Sequence, residues 1–334
     1  NVKDIEVHPI SYLRHELSPY YLLGNSFNIA IRAINHSKAS IKKRIEKIIE
    51  ELRAVGGVPN FFGHQRFGTV RPITHIVGKA LVKGNFKKAV MLFLAKPSPY
   101  EHPESKKARE QLLKTLNFKQ ALKNFPKQLY YERLMLQHLA QKPKDFLGAF
   151  RKLPIKLREL FPQAYQAYLF NKFLSQRIAS GLPLNKAEVG DYVVSVQRSG
   201  LPFPQMCRVV KTENRAEVNE AVKAGRMYLA IPLIGFRQKS SQGIQGEIER
   251  QILEEEGITP ENFRITLMPE ISSKGELRTA LTPLNNFQLK EITVDAANSS
   301  KKMARISFML HRGSYATTLL REIMKPRNLV KAGF

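Results

Sequence analysis

The apolar residues of this chain repeat every second position near its two ends and every third or fourth in between. That change of period limits the fold more than any single motif, because strands and helices bury their faces at different spacings. Near the start, in LLGNSFNIAIRAI, Phe27, Ile29, Ile31 and Ala33 alternate with Asn28, Ala30 and Arg32. Near the end, in ARISFMLH, Ala304, Ile306, Phe308 and Leu310 share one face. Each reads as a strand with one buried side. An earlier strand is expected over Val2, Ile5, Val7 and Ile10. The ring of Phe27 is ambiguous at this level: it fits a core face and equally an aromatic platform for a flat ligand.

After the first alternating segment, Ile41, Ile45, Ile48, Ile49, Leu52 and Val55 recur at helical spacing, and Gly56-Gly57 ends that helix. Its other face carries Lys42, Lys43, Arg44 and Lys47, as a solvated face or a phosphate contact. VPNFFGHQRFG, residues 58–68, is too irregular for a regular element and too apolar for a free loop. Helices are expected over 72–94 and about 109–178, with residues 96–110 as an exposed loop entering a helix. Tyr165, Leu169, Phe170 and Phe173 lie on one side of the helix at 163–178. Short strands follow at 190–197, 207–212 and 227–235, then a helix at 246–257. The last strand runs through Gly313 into a helix with Ser314 as its N-cap and Pro326 closing it. With 334 residues there is room for two domains. This order fits an α+β chain with one domain inserted into another.

Charge narrows the partner. There are 54 Lys and Arg against 28 Asp and Glu, a net of +26. Such an excess repels itself unless a polyanion neutralises it. The basic residues are dispersed over the chain, which favours a broad folded surface and hence nucleic acid. No apolar run approaches the ~18 residues of a spanning helix. Phe27, Phe61, Phe62, Phe67, Tyr165, Tyr168 and Tyr315 are interleaved with these cations and are candidates for base stacking or for the core. One cysteine, Cys207, excludes a disulfide within the chain, and the eight histidines show no metal-ligand spacing. A reducing, cytoplasmic compartment is the expectation. Neither G-x-G-x-x-G nor G-x-x-x-x-G-K-[ST] is present, so no nucleotide cofactor is expected. Gly243-Ile244-Gln245-Gly246 matches the G-x-x-G of a KH loop, a match that chance supplies often.

Four segments together resemble one family. LLGNSFNI resembles the Gly-Asn-x-Phe motif of the TruD pseudouridine synthases. VPNFFGHQRFG resembles their Pro-Asn-Tyr-Phe-Gly-x-Gln-Arg-Phe-Gly signature, with Phe61 in place of Tyr. QAYQAYLFN and RGSYATTLLREIM resemble the two later segments, in family order. The resemblance implies a catalytic domain, a mixed sheet flanked by helices, over 1–57 and 280–334. An inserted α/β TRUD domain would occupy 58–279. It implies isomerisation of uridine 13 in tRNA to pseudouridine, without cofactor or metal, by a monomer that flips the base out. Substrate would be bound by Asn25, Phe27, Asn60, Phe62, Gln65, Arg66, Gly313, Ser314 and Tyr315. Asn25 would hold the active-site backbone or base, and Phe27 would stack on the uracil. Arg66 could meet phosphate or pair with an internal acid, and no role follows for His64. The family's catalytic aspartate, in Gly-x-Lys-Asp-(Lys/Arg), has no match here. Asp4, Asp145, Asp191 and Asp295 stand in other contexts. The expectation is a nucleophile upstream of Asn1, so that residues 1–334 alone would not turn over while the whole protein would. A non-catalytic RNA-binding protein of the same fold is the alternative, and a methyltransferase a more distant one.

Overall fold

The computed structural model describes residues 6–18 and 21–334. Strand β1 (Gly24–Ile34) and helix α1 (Lys38–Ala54) come first, then a two-residue strand β2 (Val58–Pro59) and a 3-10 turn at His64–Arg66. Seven helices follow: α2 (Thr74–Val82), α3 (Phe86–Ala95), α4 (Pro103–Thr115), α5 (Phe118–Asn124), α6 (Tyr130–Gln141), α7 (Phe146–Arg151) and α8 (Ile155–Ala179). The chain then runs through β3 (Tyr192–Val196), β4 (Pro202–Val209), α9 (Arg215–Lys223), β5 (Met227–Leu233) and α10 (Gly243–Glu256). It finishes with β6 (Glu276–Thr279), β7 (Leu281–Thr282), β8 (Asn285–Asp295), β9 (Asn298–His311) and α11 (Ala316–Met324).

The two ends of the chain build one core. β9 lies between β1 and β8 in an antiparallel sheet. Its inner face presents Ile31, Ala304, Ile306, Phe308 and Leu310 to Ile41, Ile45 and Ile49 of α1 and Leu319 of α11. Ser37 caps α1 by accepting from the Ser40 amide, and Gly56 and Gly57 take the positive φ that ends it. Gly24 is required by close approach: a Cβ there would stand 2.2 Å from the Leu310 carbonyl oxygen of β9. Among the described residues this sheet is antiparallel throughout.

The middle of the chain builds a second core, from Ile73 to Ala280. Here α8 is the spine. Its residues Tyr165, Leu169, Phe170 and Phe173 are buried among α2, α10 and an antiparallel sheet of order β4-β3-β5-β6. Val58 packs in the first core and Ala280 in the second, so the two meet at β2 and β7, which pair with each other.

Several expectations need correction. Residues 6–10 carry no strand, and Val7 and Ile10 are exposed. The rest of that expected strand, residues 2–5 with Asp4, lies outside the described residues. Residues 96–110 are not an exposed loop. Ser98, Ser105 and Arg109 are buried, because Arg109 donates to Glu101 and Glu132 and to the carbonyls of Phe93 and Leu94. Strand β4 begins at Pro202 rather than at 207. Gly243 to Gly246 open α10, so the G-x-x-G match is helical backbone and not a KH loop. Ser314 does not cap α11. Tyr315 holds the N-cap position without a side-chain bond, and the Ser314 hydroxyl instead donates to Thr282 Oγ1 at 2.9 Å.

A buried polar cluster ties α8 to α10. Arg177 pairs twice with Asp191 at 2.8 Å and donates to Gln245, whose amide donates to Glu249 at 3.0 Å. Burial pushes the Glu249 carboxyl up to about 7 against its donors, Gln245 and the Ser241 amide. Glu249 therefore keeps its proton in the fold at pH values where the unfolded chain has lost it. Stability from this group falls as pH rises from the ordinary carboxylate value of 4.5 towards about 7, by at most ~3 kcal/mol. Urea midpoints at pH 5 and pH 8 should show that loss, and Glu249→Gln should remove it. An unchanged pH difference in the variant would assign the loss to other groups.

Candidate functional site

A cavity of about 790 Å³ lies where β4, β5 and β6 face the end of β9. Asn60, Phe62, Arg66, Tyr228, Phe203, His311 and Ser314 line it. Arg66, Lys274, Arg278 and Arg312 supply four cations to its wall, against the single carboxylate of Glu276. The wall therefore attracts anions, and its aromatic rings offer flat apolar faces beside them.

Local structure explains how the 58–68 segment reaches this cavity. Asn171 of α8 clamps the Phe62 backbone, accepting from its amide at 2.9 Å and donating to its carbonyl at 3.0 Å. Asn60 is buried and donates to the Thr279 carbonyl and hydroxyl at 3.1 and 3.0 Å. Gln65 accepts from Thr317 of α11 at 3.0 Å, and Thr318 donates to the Phe61 carbonyl. Gly63 has to be glycine for room: a Cβ would stand within 2.5–2.8 Å of Gln65, Tyr315 and Thr317. The Tyr315 ring centroid lies 6.0 Å from that of Phe62. Three segments far apart in sequence are thus tied at one place. Asn60, Phe62, Arg66 and Ser314 line the cavity; outside the lining, Gln65 accepts from Thr317, the Gly313 carbonyl accepts from Arg278, and the Tyr315 ring lies beside Phe62.

Asn25 and Phe27 are placed differently, outside the cavity lining. Gly24 pairs with His311, a lining residue, and Phe27 sits three positions further along β1, at about 10 Å. Asn25 is exposed. Phe27 is half-buried and stacks on Phe308, with centroids 5.2 Å apart and planes at 27°. The ring packs against the first core and is not sealed inside it.

Arg66 has no carboxylate partner among the described residues. It donates to the neutral Gln163 at 3.2 Å, and its buried Nε has no partner among the described residues. His64 faces a smaller groove with Arg321, and burial lowers its pKa. The sequence offered no pointer to Arg278 and His311. Arg278 is a lone cation in GELRTALTPL, and only the tertiary contacts show that it lies 4.0 Å from the Phe62 ring centroid.

The aspartates among the described residues have structural partners. Asp145 accepts from the Gly148 amide and pairs with His138, Asp191 pairs with Arg177, and Asp295 pairs with Arg32. The Arg32 guanidinium and the Ala33 amide hold the Asp295 carboxyl down at about 2. None of the three lines the cavity. Among the described residues no group of three or more His, Cys, Asp or Glu side chains is placed to hold a metal ion. No described helix is long and apolar enough to cross a membrane.

The family model described as tRNA pseudouridine synthase D matches residues 1–323. The chain belongs to the TruD family. Curated relatives named "Probable tRNA pseudouridine synthase D" agree with this. The relative from Methanosarcina mazei is 43% identical over 97% of this chain and 74% of its own length. The one from Methanopyrus kandleri is 40% identical over 97% of this chain and 70% of its own length. A crystal structure of TruD from Methanosarcina mazei superposes with a TM-score of 0.90 at 43% identity, over 98% of this chain and 75% of that one. The α+β arrangement described above is that of a TruD protein.

Proposed function

We propose that this protein binds tRNA along the cationic cavity and isomerises uridine 13 to pseudouridine, acting as a monomer. The observation that carries the reading is the convergence of the 58–68 signature, α8 and the 313–318 segment on one cavity with four cations in its wall. In this reading residues 1–57 and 280–334 form the catalytic domain and 58–279 the insert. Flipping the uridine out of its stack costs a few kcal/mol, which stacking of the base on Phe27 offsets in part. Asn25, two residues before it, hydrogen-bonds the base or the backbone around it. An aspartate of the enzyme acts as nucleophile or base while the bond from ribose C1′ to N1 breaks. The uracil turns, C1′ bonds to C5, and the C5 proton is released as N1 gains one. No aspartate among the described residues is assigned that role. These residues bind, orient and neutralise.

The test uses the whole protein and tRNA labelled with tritium at uridine C5. Tritium release, with pseudouridine mapped to position 13, is the expected result. Tight tRNA binding without release would favour a binding protein of this fold. Release at another position would move the specificity. Binding should weaken steeply with salt, with log K falling ~0.7–0.9 per neutralised phosphate.

A further inference from the structure

We propose that Arg66 and Arg278 form an anion subsite in the cavity wall that takes one phosphodiester of the substrate RNA. This rests on the tRNA reading above and adds two residues' role to it. Arg278 is anchored wholly by neutral acceptors. Its Nε donates to the Asn60 carbonyl at 3.0 Å, and its Nη2 to Asn60 Oδ1 at 2.6 Å and to the Gly313 carbonyl at 3.0 Å. Its guanidinium carbon lies 4.0 Å from the Phe62 ring centroid and 5.6 Å from that of Phe170. Those contacts leave Nη1 without a partner among the described residues. Arg66 stands 5.9 Å from the same Phe62 centroid, and among the described residues Gln163 is its one hydrogen-bond partner.

The two buried arginines, Arg177 and Arg109, show what is missing here. Arg177 has Asp191 at 2.8 Å, and Arg109 has Glu132 at 2.7 Å. Arg66 and Arg278 share one ring, repel each other, and form no ion pair with any described carboxylate. Glu276, on the same wall, raises the Arg278 pKa only in part against burial, which brings it down to about 10. Two cations held together by neutral groups are a preformed place for a shared anion. With Nε and Nη2 occupied, Arg278 offers Nη1 to one non-bridging phosphate oxygen, and Arg66 supplies the second contact. Phe62 and Asn60 fix the plane of the Arg278 guanidinium, and with it the direction of Nη1.

The test is binding of tRNA by the full chain across a salt series. Arg66→Gln and Arg278→Gln should each weaken binding about 10–100-fold and lower the salt slope by about 1. A minimal tRNA carrying one uncharged methylphosphonate, moved linkage by linkage around the target uridine, locates the contact. At one linkage wild type should lose about ten-fold, while Arg278→Gln loses nothing further there. Arg66→Gln removes only one contact at the cavity wall, so its folding serves as the control for Arg278→Gln. Wild-type slopes in both variants, with methylphosphonate losses equal in wild type and variants, would overturn the subsite. If wild type ignores tRNA yet binds pyrophosphate in an Arg278-dependent way, the subsite stands and the RNA reading fails. If it binds neither, both fail.

Discussion

Arg177→Ala is expected to destabilise the protein by about 3–5 kcal/mol, measured as a fall in urea midpoint at constant slope. Arg177 is fully buried, and both of its terminal nitrogens donate to Asp191 at 2.8 Å. The change strands a buried carboxylate and also cuts the link through Gln245 to Glu249. Replacing both partners by Arg177→Met with Asp191→Leu should restore most of the loss, because no charge is then left unpaired. A double variant as unstable as Arg177→Ala would show that Pro183 and Gln245, the other acceptors of Arg177, matter more than the ion pair.

Phe27→Ala should lower kcat/KM for tritium release from tRNA about 5–150-fold, the equivalent of one lost base stack. Phe27→Tyr keeps the aromatic face and should stay close to wild type. The ring also stacks on Phe308, so some loss of stability is expected with it. Phe308→Leu separates the two effects: it disturbs the same packing from the buried side and should cost stability with little loss of turnover. If Phe27→Ala and Phe308→Leu lose turnover equally, Phe27 is a core residue and stacks on no substrate.

The sequence shows its elements best where side chains repeat against a core. The alternation of Ile29, Ile31, Ala304, Ile306 and Phe308 places β1 and β9, and Ile41, Ile45 and Ile49 place α1. β8 escaped the sequence reading because its alternation, Phe287 and Leu289 and then Ile292 and Val294, slips by one position at the bulge between Leu289 and Glu291, and only Ile292 and Asp295 of its eleven residues are fully buried. α9 was equally hidden, with only Val218 and Ala221 buried. At the site, the motif residues could be picked out, but their meeting could not. Asn171 clamps Phe62 across 109 positions, and Arg278 reaches Asn60 across 218. Contacts at such separations leave no local pattern. Ser314 misled for a related reason: its hydroxyl suits an N-cap, yet Thr282 on β7 competes for it and wins.

The target uridine is expected between the cavity and the cavity-side end of β1. A tRNA with 5-bromouridine at position 13, irradiated in complex with the protein and digested, tests this directly. Crosslinks in 24–34 together with 58–68 or 274–283 are predicted. Crosslinks confined to the helices from α4 to α7 would contradict it.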